Sequence, residues 1–221
     1  MKESDKISVL VCVHSTDRQH DVLLQRALES LVRQTYAEFE TIIVMDECWE
    51  DTKSIVESYK EVLDIKIYER KHKQGLAAAK NYGIEKCNGD WIAYLDADDQ
   101  LFDCKLEFQR KWLLQNTDID FCGTGAWDLV NDTILPNCFE VSQYNSHDEI
   151  VSRIATENVM CHGSMMIRLN ALKALKGYNQ SILYKGQEDW ELWIRAIKSG
   201  FKFGKVPERL YIYSLGTSVE R

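Results

Sequence analysis

No stretch of the 221 residues comes near the roughly 18–20 consecutive apolar positions that cross a bilayer, which excludes a transmembrane helix. The opening Met1-Lys2-Glu3-Ser4-Asp5-Lys6 has no apolar core and does not read as a secretion signal. Proline occurs only twice, and no Pro- or Ser-rich tract or internal repeat is present, so neither a long linker nor a solenoid is expected. Lys and Arg number 27 against 35 Asp and Glu, a net charge of −8. With Arg70-Lys71-His72-Lys73 as the single basic run, a broad electrostatic grip on nucleic acid is excluded. The 11 glycines form no GxxxxGK[ST], and His14-Ser15-Thr16-Asp17-Arg18 after the first strand holds none of a GxGxxG, which removes P-loop and NAD chemistry. The seven cysteines, at 12, 48, 87, 104, 122, 138 and 161, are odd in number and include no CxxC and no Cys/His spacing suited to zinc. Most lie in apolar runs such as Val9-Leu10-Val11-Cys12-Val13, as buried free thiols of a reducing compartment do. The expected location is cytoplasmic, with peripheral contact at a membrane left open.

What is there is an alternation of strand and helix patterns. Ile7 to Val13 reads as a buried strand, and Leu23 to Val32 as a helix with Leu24, Leu28, Leu31 and Val32 on one side. Thr41 to Met45 is a second strand, followed by a helix from Asp51-Thr52 carrying Ile55, Val56, Tyr59 and Val62. Ile65 to Tyr68 is a third strand. Gly75 opens another helix, Asn88-Gly89 ends it, and Trp91 to Leu95 is a fourth strand closed by Asp96-Ala97-Asp98-Asp99. Such alternation predicts an α/β fold with a mostly parallel, Rossmann-like sheet, in which ligands bind at the carboxyl ends of the strands.

Beyond about residue 105 the rhythm changes. A helix to Asn116, a strand over Phe121 to Trp127, a turn at Asn131-Asp132 and a helix from Ser146, with Glu149 in capping-box spacing, suggest a smaller α+β part. The expected division is 1–104 and 105–221, both within one packed unit.

In an extended chain Asp96 and Asp98 face the same side and Asp99 the other. Two carboxylates at a sheet's ligand-binding edge suit a hard divalent cation, Mg²⁺ or Mn²⁺, holding a diphosphate. A polar turn that merely caps the next helix has the same composition.

The set Ile7-Ser8-Val9-Leu10-Val11, Leu28 to Tyr36 with Phe39-Glu40, Gly75-Leu76-Ala77-Ala78-Ala79-Lys80-Asn81, Tyr94-Leu95-Asp96-Ala97-Asp98-Asp99 and Glu188-Asp189-Trp190 resembles, in this order, the inverting family 2 glycosyltransferases of the GT-A fold. The resemblance covers nearly the whole chain. It implies residues 1–104 as the nucleotide-sugar part and 105–221 as the acceptor part. Asp96-Ala97-Asp98 resembles the family's DxD motif, Asp96 near the donor ribose and Asp98 on the metal, Mn²⁺ or Mg²⁺. Asp46 resembles the acidic contact to the base, with Cys12, Val13 and His14 lining the base pocket. Lys80 stands where the family commonly carries Arg near the nucleotide, and Gly75 permits close backbone approach or only shapes a helix entry. Asp189, beside Glu188, resembles the general base; His162 borders the acceptor side.

The resemblance further implies a nucleoside diphosphate sugar donor, UDP-linked by family preference, and a glycan, lipid-linked or protein acceptor. A carboxylate that accepts the acceptor's proton, with a cation on the leaving diphosphate, needs no covalent nucleophile and inverts the anomeric centre. Two other readings stand beside it: a catalytically silent nucleotide-sugar-binding module, and a nucleotidyltransferase, which also needs paired carboxylates. Acidic residues and tryptophans around Glu188-Asp189 are also what any helix start over a core shows, the stripe here being Trp190, Trp193, Ile194, Ile197 and Phe201. Two departures from the family pattern stand out. Met45-Asp46-Glu47-Cys48-Trp49-Glu50-Asp51 lacks the usual Asp-Asp-Gly-Ser, and Leu210 to Ser218 contains neither the His nor the Arg that many relatives carry after the last strand.

Overall fold

The structure, a computed structural model, describes residues 6–70, 75–137 and 144–215. Most of the basic run (Lys71, His72 and Lys73), Cys138, the first five residues and the tail from Gly216 lie outside them. In chain order the elements are β1 (Ile7–Val13), α1 (Arg18–Val32), β2 (Phe39–Asp46), α2 (Thr52–Ser58), β3 (Ile65–Arg70), α3 (Leu76–Lys86), β4 (Trp91–Tyr94), β5 (Gln100–Leu101) and α4 (Lys105–Gln115). They continue with β6 (Phe121–Val130), β7 (Thr133–Pro136), α5 (His147–Ile154), β8 (Met166–Arg168), α6 (Leu169–Ala174), α7 (Glu188–Lys198) and β9 (Phe203–Ser214).

One sheet runs through the molecule in the order β3-β2-β1-β4-β8-β6-β9-β5, with β7 paired to β6. The four leading strands are parallel, as the strand–helix alternation requires. In the second half β8 pairs antiparallel with β4 and β6, while β6 and β9 run parallel. Strand β5 from the first half pairs with β9 from the second, so the sheet is continuous across residue 104. Because β1 leads outward to β2 and β3 before the chain returns to β4 on its other side, the strand order reverses between β1 and β4. A crevice must open there, beyond the carboxyl ends of those strands.

Alternation along β1 splits the core. Val9, Val11 and Val13 join Leu24, Leu28 and Val56 on one face, whereas Leu10 joins Ile84, Ile92 and Trp193 on the other. The helices differ in detail from the sequence expectation. Helix α1 starts five residues early because the Asp17 carboxylate accepts from the backbone N–H groups of Gln19 (2.8 Å) and His20 (3.1 Å). Val32, at its end, is exposed. Helix α2 tightens into a 3₁₀ turn at Tyr59, which swings Val62 off the apolar side into solvent. In α7 Trp193 of the expected stripe is fully buried, and it is joined by Leu192 and Ala196 rather than by the rest of that stripe. Trp190 and Ile197 are only half-buried there, the Trp190 indole N–H being donated to the Ile154 carbonyl at 2.6 Å.

Two turns follow their chemistry. Asn131 and Asp132, both at positive φ (48° and 60°), make the tight hairpin between β6 and β7. Ser146 and Glu149 form the capping box of α5. The six described cysteines are free thiols.

Candidate active site

A cavity of about 720 Å³ opens where the strand order predicts. Its walls bring together every residue singled out from the sequence: Cys12, Val13, His14, Asp46, Gly75, Lys80, Asp96, Asp98, His162, Glu188 and Asp189. The residues come from the ends of β1, β2 and β4, the first turns of α3 and α7, and the Cys161-His162-Gly163 segment before β8.

The carboxylate cluster takes its geometry from a turn, which corrects the extended-strand expectation. Strand β4 ends at Tyr94, and the Asp99 N–H closes back on the Asp96 carbonyl at 3.1 Å. Asp96 and Asp98 nonetheless line the cavity together, and Asp99 is turned into the core with no exposed surface. There Asp99 accepts from the Tyr211 hydroxyl (2.7 Å) and the Ser214 N–H (2.7 Å). Burial, and then the neighbouring Asp96 and Asp98, push its proton affinity well above the usual carboxylate range, against those two donors. The same Tyr211 hydroxyl accepts from the Asp96 N–H at 3.3 Å. Gly163 packs so closely on that hydroxyl that a β-carbon there would collide with it.

On the opposite wall, Lys80 is buried with its ammonium 3.5 Å from Glu188 Oε1 and 5.2 Å above the Tyr178 ring. Asp189 follows Glu188 in the first turn of α7, where the helix dipole favours an anion. Its two oxygens are held separately: Oδ1 accepts the Trp190 N–H at 2.7 Å and Oδ2 accepts the Asn158 side-chain N–H at 3.1 Å. Desolvation raises its proton affinity above the ordinary value, against the pull of Lys80 and these hydrogen bonds. A cavity-facing carboxylate poised in this way can take up a proton.

At the far end, Asp46 meets Arg70 across the β2–β3 register, Nη1 to Oδ2 at 3.4 Å, with both groups nearly buried. The His14 ring nitrogen Nδ1 lies 2.7 Å from the Asp46 carbonyl oxygen. Cys12 is no nucleophile, since burial pushes its thiol up to about 12. Gly75, at φ 88°, starts α3 in a conformation that other residues rarely adopt. His162 is tied through Nε2 to the Tyr178 hydroxyl at 2.8 Å, packs at a tilt on the Tyr94 ring and stacks with Trp193, so it is built into the wall.

Among the described residues no three His, Cys, Asp or Glu side chains are grouped to hold a metal. Asp96 and Asp98 are two hard oxygen donors, which fits a Mg²⁺ or Mn²⁺ ion that takes its other ligands from water and a diphosphate. Arg70, Asn158, Tyr178 and Tyr211 were not singled out from the sequence. Each lies far along the chain from the residue it holds, and no local spacing marks it.

Residues 8–176 match the family described as Glycosyl transferase family 2. The O-antigen biosynthesis glycosyltransferase WbnJ of Escherichia coli is 31% identical over 196 residues, covering 87% of this chain and 72% of that protein. The UDP-Gal:alpha-D-GlcNAc-diphosphoundecaprenol beta-1,3-galactosyltransferase of Escherichia coli is 26% identical over 214 residues, covering 90% and 70%. Among solved structures, TarS of S. aureus (residues 1–349, with UDP) superposes with a TM-score of 0.78 at 19% identity. That match spans 95% of this chain and 60% of that one. The mannosyltransferase PcManGT of Pyrobaculum calidifontis, with GDP-Man and Mn²⁺, superposes with a TM-score of 0.70 at 15% identity, spanning 96% and 57%. These superpositions establish the GT-A fold. The match over residues 8–176 and the identity to named transferases identify the chain as a glycosyltransferase belonging to glycosyl transferase family 2.

Proposed function

We propose that the chain transfers a sugar from a UDP-linked donor, with inversion and with a divalent cation, to a hydroxyl of a glycan carried on a lipid diphosphate. The observation that carries this reading is the pairing, in one cavity, of the Asp96/Asp98 carboxylates with Asp189, a carboxylate of raised proton affinity. Asp46, Arg70 and the β1 end bind the base, and Asp96 approaches the ribose. A Mg²⁺ or Mn²⁺ ion held by Asp98 and Asp96 would neutralise charge growing on the departing diphosphate. Lys80 adds a positive charge from the facing wall, buried where it acts with little screening. Asp189 accepts the proton of the attacking acceptor hydroxyl, and the attack runs in line from the face opposite the diphosphate. Glu188 keeps Lys80 in place. The lipid-linked acceptor follows relatives such as the galactosyltransferase named for its diphosphoundecaprenol substrate.

The deciding experiment is thermal unfolding with UDP, GDP, dTDP, ADP or NAD, each with and without Mn²⁺, on the wild type and on Asp98→Asn. A ligand bound only by the native state raises stability by RT ln(1 + [L]/Kd). A Mn²⁺-dependent shift with UDP that Asp98→Asn removes is the expected result. Release of pyrophosphate from a nucleoside triphosphate would instead establish nucleotidyl transfer.

A further inference from the structure

Ile182 and Leu183, side by side between α6 and α7, are 78% and 83% exposed, the highest values for large apolar side chains among the described residues. They ride on an ordered 3₁₀ turn. The Ser181 hydroxyl accepts from the Leu183 N–H at 3.4 Å, and the Tyr184 N–H and Gln187 N–H close the turn at 3.0 and 2.8 Å. Ile182, Tyr184 and Lys185 also form part of the cavity rim. Exposure of two adjacent large aliphatic groups on a fixed turn at a cavity mouth marks a contact surface.

The charge around this tip says what it meets. Residues 169–187 contain Lys173, Lys176 and Lys185, all exposed, and no Asp or Glu, in a chain whose net charge is −8. An apolar tip with the exposed Lys185 two residues beyond Leu183, and Lys173 and Lys176 exposed earlier in the same segment, fits a bilayer interface carrying anionic headgroups: the aliphatic groups enter the acyl boundary and the lysines reach the phosphates.

We propose that this rim docks on an anionic lipid bilayer, so that the cavity mouth faces the membrane and a lipid-borne acceptor arrives at Asp189 from the bilayer side. The second half of that statement rests on the transferase reading; the docking itself does not.

The test is co-sedimentation of the full chain with vesicles of phosphatidylcholine and phosphatidylglycerol, against vesicles of phosphatidylcholine alone. The wild type binds the anionic vesicles, and Leu183→Ser weakens that binding by about tenfold, the scale expected for losing one buried aliphatic side chain. Ile182→Ser/Leu183→Ser weakens it further, and Lys173→Glu weakens it more at low salt than at high salt. The proposal is overturned if the wild type ignores anionic vesicles, or if the double variant binds them as tightly as wild type. It is also overturned if lipid-free sedimentation shows a dimer that Leu183→Ser dissociates, since a second copy then covers the tip. Leu183→Ser keeps the Mn²⁺-dependent UDP shift of the wild type, which separates lost docking from a damaged donor site. A wild type that binds vesicles but no nucleotide retains the docking and removes the transferase reading.

Discussion

The Tyr211 hydroxyl donates to Asp99 Oδ2 at 2.7 Å and simultaneously accepts the Asp96 backbone N–H at 3.3 Å. One buried phenol on β9 thereby fixes both ends of the turn that presents Asp96 and Asp98 to the cavity. Because Gly163 leaves no slack against it, the phenol has little room to move. Tyr211→Phe removes both bonds while keeping the ring. The expected loss is about 1–3 kcal/mol of stability, with a melting point lower by about 2–4 °C per kcal/mol for a chain of this size. As a positioning residue, Tyr211 should change the Mn²⁺ dependence of the UDP shift as well as the melting point. An unchanged Mn²⁺ titration would leave it a purely structural residue.

Asp189 makes opposite demands on stability and on catalysis. Its folded proton affinity lies above that of the unfolded chain, so the native state binds the proton more tightly, and stability from this group falls as pH rises through the window between the two. Asp189→Asn is therefore expected to melt higher than wild type at neutral pH and to lose transfer by a factor on the order of 10²–10⁴.

The same carboxylate sets the acid limb of the rate profile. Asn158→Ala removes a hydrogen bond that favours the charged form of Asp189. The rate should begin to fall at a higher pH in this variant than in wild type, as a profile of kcat/KM against pH will read. A limb that stays in place would mean that another group titrates.

Glu40 carries acid sensitivity away from the site. Its side chain is fully buried at the amino-terminal end of β2, where burial alone would raise its proton affinity. The Lys66 ammonium (2.6 Å), the Ser8 hydroxyl (2.6 Å) and the Asn88 N–H (2.7 Å) outweigh that and bring it from 4.5 down to about 2. A depressed folded value gives stability that is fully present above about pH 4.5 and lost as pH falls toward 2. Glu40→Gln should therefore be less stable than wild type at pH 7 by about 2–3 kcal/mol, with the gap closing toward pH 2 in denaturant titrations.

Lys105 gives a pH dependence of the same sign in the alkaline range, although here it is the charged form that the fold disfavours. Burial lowers its ammonium from 10.5 to about 7, while Gln109 Oε1 accepts its proton at 2.7 Å. Between those values the unfolded chain holds the proton and the folded chain does not, so stability from this group rises with pH. In Lys105→Met that rise disappears from the pH 7–10.5 profile, whatever constant loss follows from leaving Gln109 without its donor.

Much of the donor half was legible because its signals are local. Apolar runs with period two and 3.6, Gly75 at a helix entry and the Ser146/Glu149 box each report a neighbourhood of a few residues. Of the cavity's wall residues, Asp96 and Asp98 could be read from a strand end that a parallel α/β sheet delivers to its ligand-binding edge, while most of the others were named through the resemblance to family 2 glycosyltransferases. What local signals misjudged was orientation. Val62 and the α7 stripe depend on a 3₁₀ tightening and on where α5 packs, neither of which period counting contains.

The sequence by itself determined the alternation of elements and the delivery of strand ends to one edge of a mostly parallel sheet, because these follow from patterning and from the handedness of crossovers; the switch point between β1 and β4 was set by the tertiary strand order. The side each carboxylate faces was legible from alternation, but only the tertiary structure decided what holds Asp99 in the core and sets its proton affinity. Asp96, Asp98 and Asp99 are near-identical in sequence context, yet one is drawn into the core by Tyr211 and Ser214, 112 and 115 residues away. Burial and partner charges at that range set proton affinity, and no local pattern encodes them.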